Sequence, residues 1–282
     1  LQGVLRRLGQ YGEARRYAME SLSIDPLDFG SRFELLQLAH IEEDVEGEAL
    51  AAAELAALLH GNHNTYIEQS LDYTEAGLYR EAIEFLDLYL TQTDASRAYP
   101  MALYHKAYNL AQQGRREEAL SCVKQAEAAP SDYCFPHRLE DILALEYALR
   151  VHPHGARAAY YLGDLWYDKR QYDRAVAAWE QSCKLDNKFP TVHRNLALAY
   201  YNKRGDGAVA RAQMEAAYAL DPTDARVLME LDQLYQKLGV PNTERLTTLQ
   251  GRLVQVMDRD DLYLEYVALH NYFGRYEEAL RL

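Results

Sequence analysis

Apolar residues return along this chain at helical spacing. Stretches such as ELLQLAHIEE (34–43) and AVAAWEQSCKL (175–185) recur throughout its length, each placing its hydrophobic positions on one helical face. The eight prolines and fifteen glycines are too few and too scattered for an all-β protein. The pattern therefore predicts an all-α chain of short paired helices. Glycines that lead into E-A share one register: GQYGEA at Gly9, GLYREA at Gly77, GRREEA at Gly114 and GRYEEA at Gly274. Their positions set a period of about 34 residues: Gly9 to Gly77 spans two such intervals, and Gly205 to Gly239 and Gly239 to Gly274 span one each.

That period, built from two antiparallel helices, resembles the tetratricopeptide repeat (TPR), and individual residues carry the likeness as well as the spacing. Leu162, Gly163 and Trp166 fill the first-helix slots, with Ala175 and Trp179 in the second helix. Leu196, Ala197 and Tyr200 repeat the pattern, followed by Ala210, Met214 and Pro222. Pro26 and Pro222 supply the closing proline, which Asn187 replaces in the hairpin that begins near Tyr160. Small Gly163 and Ala175 allow close helix approach beside Trp166 and Trp179. The resemblance implies a right-handed superhelical solenoid of seven to eight hairpins, with a concave surface lined by the first helix of each pair. First helices are expected near 29–42, 63–76, 98–113, 156–169, 190–203, 225–238 and 260–273, each followed by a second helix. Residues 1 and 282 are expected to fall partway through a repeat, leaving apolar stacking surface for further chain or a neighbour to cover.

One interval breaks the rhythm. The distance from Gly114 to its equivalent, Arg170, exceeds one repeat and falls short of two, and the first helix that should precede RLEDILALEYALRVHP is replaced by APSDYCFP at 129–136. The expected organisation is thus N-terminal repeats over 1–128, an irregular loop plus extra helix over 129–155 with a bend in the solenoid, and C-terminal repeats over 156–282.

Charge narrows the partners. The 282 residues carry 43 acidic against 30 basic side chains, a formal net charge of −13, which repels nucleic acid and anionic membranes. No apolar run reaches the length of a membrane span. Three cysteines, Cys122, Cys134 and Cys183, show neither metal spacing nor a disulfide framework, which fits a cytoplasmic setting. Phosphate-loop, dinucleotide, nucleophile-elbow and zinc-protease motifs do not occur. NKRGDGAVAR follows a helix rather than a strand, so it reads as a helix–helix turn, and His60/His63 and His152/His154 read as solvated turn residues. Neither an enzyme, a cofactor nor a metal is expected.

In proteins resembling this family fixed positions counted along each first helix form the inner surface, and the resemblance therefore implies a candidate binding ribbon that includes Tyr104, Tyr108, Arg157, Tyr160, Asp164, Tyr167, Asp168, Arg194, Tyr201, Asn202 and Arg226. Tyrosine offers a rigid apolar face with one hydroxyl, and arginine a planar fork of donors. Tyr79, Tyr172, Tyr200 and Tyr276 are expected to pack between repeats. The Lys/Asn/Arg clamp by which some TPR relatives hold a C-terminal carboxylate is absent from the ribbon. The expected function is a non-catalytic scaffold holding a peptide or protein segment in the groove.

A second resemblance is longer. SLSIDPLDFG, APSDYCFPHRLEDIL, YYLGDLWYDKRQYDRAVAAWEQS, FPTVHRNLALAYYNKRGD and LDPTDARVLMELDQLY are similar to the C-terminal region of a family of large bacterial proteins with a domain of unknown function ahead of the repeats. That likeness implies that other domains of one longer polypeptide are partners, and it gives the alternative reading: a helical accessory module of a carbohydrate-active protein.

Overall fold

The computed structural model describes residues 1–94 and 97–282. Among these, every regular element is helical, and the chain divides into two compact units, Leu1–Pro153 and His154–Leu282. The first unit contains α1 (Gln2–Arg7), α2 (Tyr11–Ile24), α3 (Phe29–Ile41), α4 (Val45–Leu59), α5 (His63–Glu75), α6 (Tyr79–Leu90), α7 (Pro100–Gln112), α8 (Arg116–Ala128) and α9 (Leu139–Val151). The second contains α10 (Arg157–Asp168), α11 (Tyr172–Leu185), α12 (Pro190–Ala199, continued by a π-helical turn at Tyr200–Arg204), α13 (Gly207–Leu220), α14 (Ala225–Lys237), α15 (Asn242–Gln250), α16 (Leu253–Met257), α17 (Asp260–Tyr272) and α18 (Tyr276–Arg281). All seven expected first helices are present, as α3, α5, α7, α10, α12, α14 and α17. The second helix after α14 is broken at Gly251 and Arg252 into α15 and α16.

The hairpins share one turn. Each first helix ends on a left-handed residue that lets the chain double back: Gly9, Gly77, Gly114, Gly205, Gly239 and Gly274, with φ between 67° and 77°. Glycine is the natural occupant because it has no Cβ to clash. Glu43 (φ 58°) and Arg170 (φ 60°) hold the same place in two other hairpins. Glu43 lies one repeat after Gly9 and one before Gly77, so the register runs unbroken through a position where the sequence shows no glycine. Carboxylate caps start several helices; Asp28, Asp44, Asp206 and Asp224 each accept a backbone N–H of the first turn. Arg204, Gly205 and Asp206 complete the α12–α13 turn, as the sequence reading expects.

In the first unit, Phe33, Tyr66 and Phe85 are fully buried, with Phe33 meeting Phe85 edge-on at 4.8 Å and Tyr73 at 5.4 Å. A buried ionic cluster ties its first three hairpins. Arg6 bonds Glu34 (2.7 Å) and Glu81 (3.0 Å), Arg7 bonds Glu81 (2.8 Å), and the Tyr73 hydroxyl donates to Glu34 (3.2 Å). In the second unit, a Cβ on Gly163 would lie 2.3 Å from Trp179, so the indole of α11 sits directly on the α10 backbone. Trp166 does not share that groove; it is half-buried, under the guanidinium of Arg174 at 4.7 Å.

The irregular stretch lies where the spacing puts it. In several hairpins the second helix packs on the first helix of the next, as α2 does on α3, α6 on α7 and α13 on α14; α9 instead packs chiefly on α7 and only marginally on α8. A buried pair fixes this choice. His105 Nε2 of α7 lies 2.7 Å from Asp141 Oδ1 of α9, and Asp141 Oδ2 accepts the backbone N–H groups of His137 and Arg138 at 2.9 Å. Burial alone would raise the Asp141 carboxyl, but His105 and those N–H groups hold it below the usual carboxylate range. His63 departs from the expected solvated turn: it opens α5 and stacks on Tyr99 with ring centroids 3.8 Å apart. Tyr276 departs in the other direction, being 69% exposed.

Candidate functional site

In the second unit the first helices are bonded directly to one another. Asn195 of α12 donates to Asp164 Oδ1 of α10 at 3.0 Å, and Arg194 of α12 grips Glu230 of α14 through both Nε (2.6 Å) and Nη2. Arg226 also reaches Glu230, at 3.3 Å, from one turn earlier on α14. These bonds assemble a strip of polar and aromatic side chains across α10, α12 and α14.

Asp164 is the strip's most perturbed group. Burial pushes its carboxyl up to about 7, against the pull of hydrogen bonds from Trp179, Tyr160 and Asn195. The Trp179 Nε1 bond measures 3.0 Å, so one carboxyl oxygen links α10 to both α11 and α12. With neutral donors around it, the group gains little from ionising. It therefore stays largely protonated below neutrality.

The remaining ribbon residues separate by exposure. Asn202 and Arg226 are exposed, whereas Tyr201 and Arg194 are half-buried. Tyr201 and Asn202 line a cleft of about 50 Å³ with Glu230, Gln233 and Lys237, and the Lys237 ammonium stands 5.5 Å from the Tyr201 ring centroid. Tyr167 is half-buried between Trp179 (5.4 Å) and Tyr172 (5.1 Å), with Lys203 4.2 Å from the Tyr172 ring. Asp168 pairs with Lys169 at 3.0 Å. Arg157 lies flat over Phe189, its guanidinium carbon 3.6 Å from the ring centroid, and reaches Asp186 at 3.6 Å.

Two ribbon residues, Tyr160 and Tyr104, are covered by neighbouring helices. Tyr160 is 5% exposed, edge-on to Phe189 at 4.8 Å, and so belongs to the α10–α12 packing. Tyr104 is fully buried in the first unit, its hydroxyl donating to Glu127 of α8 at 2.8 Å. Tyr108 is half-buried and meets Tyr147 of α9 edge-on at 6.4 Å. Counting along a helix fixes which residues share a face, but not which neighbour covers that face. The sequence reading missed Glu230, Gln233, Lys237 and Asn195; one repeat beyond Arg194 lies Leu228, half a turn before Glu230, and that offset was the available signal.

Helix pairs at a period of about 34 residues, closed by a left-handed turn and stacked first helix to first helix, define a TPR-type helical-repeat fold. Residues 163–203 match the family model of the TPR repeat, the segment that carries α10 from Gly163 to the π-helical turn. Solved structures similar to the chain include MamA residues 41 to the end from Desulfovibrio magneticus RS-1 (17% identity, 70% of this chain and 97% of that chain, TM-score 0.39). They also include the TPR domain of P58(IPK) (14% identity, 99% and 68%, TM-score 0.38) and a thermophilic TPR protein of Thermus thermophilus (18% identity, 73% and 98%, TM-score 0.38). Among the described residues no group of three or more His, Cys, Asp and Glu side chains gathers as for a metal ion, and no helix is long and apolar enough to cross a membrane.

Proposed function

We infer that the chain is a non-catalytic scaffold whose second unit holds an extended segment of a partner protein along α10, α12 and α14. The observation that carries this reading is the bonding of first helix to first helix through Asp164–Asn195 and Arg194–Glu230. It presents Tyr201, Asn202, Arg226 and Lys237 on one pre-organised surface, and a surface fixed before binding loses less entropy on engagement. Exposed Arg226 and half-buried Tyr201 beside glutamate suit a segment with both apolar and charged side chains.

The test is affinity capture from the source lysate with the wild-type chain and a Tyr201→Ala/Arg226→Ala variant, analysing retained polypeptides and glycans. Both side chains reach solvent and neither is fully buried, so the variant keeps its fold, unlike one at Tyr160. A polypeptide retained by the wild type, released by raised salt and lost in the variant is the expected outcome. A glycan retained instead, insensitive to salt, would favour the carbohydrate-accessory reading; equal retention by both proteins would sink the strip as the binding surface.

A further inference from the structure

A cavity of about 580 Å³ opens in the first unit, lined only by residues of that unit. It lies between α8 and α9, where α9 packs chiefly on α7 and bonds it through His105–Asp141. Arg116 and Leu120, one turn apart on α8, form one wall; Tyr147, Arg150 and Val151 of α9 form the other, and Ala111 of α7 lies between. The volume is that of a small-molecule site, and the walls mix apolar surface with a few polar groups.

The chain's deeply buried arginines are engaged, Arg6 with Glu34 and Glu81, and Arg245 with Asp232 and Glu265, whereas two exposed arginines line this cavity. Among the described residues neither Arg116 nor Arg150 has a carboxylate partner within ion-pair distance, in a protein of net charge −13. The Arg150 guanidinium instead stands 5.6 Å from the Tyr147 ring centroid. Burial lifts the Tyr147 phenol above its ordinary range although Arg150 and Arg116 pull it down, so its hydroxyl remains a donor. Two uncommitted guanidinium forks and a phenol beside Leu120, Val151 and Ala111 form a positive, partly apolar recess.

We propose that this cavity binds a small organic carboxylate with an apolar body, its head group held by Arg116 and Arg150 and its body against Leu120, Val151 and the Tyr147 ring. A guanidinium fork matches a carboxylate in two parallel hydrogen bonds, which selects that head group. The apolar walls select a ligand with a hydrocarbon portion over a bare inorganic anion. The inference does not depend on the strip of the second unit.

The probe is sodium octanoate, titrated into the full chain with 1-octanol as its uncharged counterpart, followed by calorimetry and by the methyl NMR signals of Ala111, Leu120 and Val151. The expected result is saturable octanoate binding that moves those methyls, is weakened by added salt, and falls at least about tenfold both for octanol and in an Arg116→Gln/Arg150→Gln variant. Both arginines are exposed, so the variant retains its circular dichroism and melting temperature. Octanoate and octanol binding alike, unchanged affinity in the double variant, shifts confined to other methyls, or no saturation by ~10 mM would each overturn the proposal. Because capture by Tyr201 and Arg226 is read separately, failure here leaves the strip untouched, and failure there leaves the cavity untouched.

Discussion

Arg170 holds a left-handed turn that six glycines hold elsewhere, and its Cβ makes that conformation costly. Arg170→Gly should therefore stabilise the second unit by about 1 kcal/mol, read as a higher urea midpoint with unchanged slope; a lower midpoint would show that the arginine contributes more than strain. Gly163 makes the opposite case. A methyl there collides with Trp179, so Gly163→Ala should cost roughly 1–3 kcal/mol and alter the indole's near-UV circular dichroism. A neutral-preferring carboxyl at Asp164 sets a pH dependence whose sign follows from its direction. The folded state keeps its proton up to about 7 while the unfolded chain gives it up near the ordinary value of 3.8, so stability falls as pH rises between those values. Melting measured from acid to slightly alkaline pH should show this loss, on the order of 4 kcal/mol, and Asp164→Asn should flatten it because the amide oxygen still accepts from Trp179 and Asn195.

At the scale of the element, α9 carries the departure from regularity. Asp141→Asn removes the charge that His105 and two backbone N–H groups stabilise, and is expected to cost ~3 kcal/mol and speed hydrogen exchange across 139–151 first. In the wild type this contribution is present above the ordinary carboxylate pKa and is lost as acid carries the pH down through the depressed Asp141 value. Exchange that quickens equally in α5 and α9 would mean that the pair holds more than one helix. The helices themselves were legible in the sequence: hydrophobic spacing and the glycine register place all seven first helices close to their observed bounds. The Glu43 turn was hidden, because the glycine register cannot see a left-handed turn held by glutamate. The site was legible only in part. Of the positions read from the sequence, Asp164, Arg194, Tyr201, Asn202 and Arg226 lie along the α10, α12 and α14 strip, but Tyr104 and Tyr160 are covered by neighbours on other helices, whose approach depends on side-chain volumes far along the chain. Glu230 lay outside the counted positions, although it is the carboxylate on which both Arg194 and Arg226 converge.

At the scale of the molecule, each unit offers a different surface. The second presents a bonded strip of first helices, suited to a partner segment; the first holds a recess left where the regular stacking is broken. Both surfaces set local arginines in the acidic background of a chain of net charge −13. The most direct test of the central claim is hydroxyl-radical footprinting of the chain with the polypeptide it captures. The account predicts reduced labelling of Tyr201 and Tyr167 on complex formation, with Tyr272 and Tyr276 unchanged; reduced labelling confined to other tyrosines, with Tyr201 as reactive as in the free chain, would contradict it.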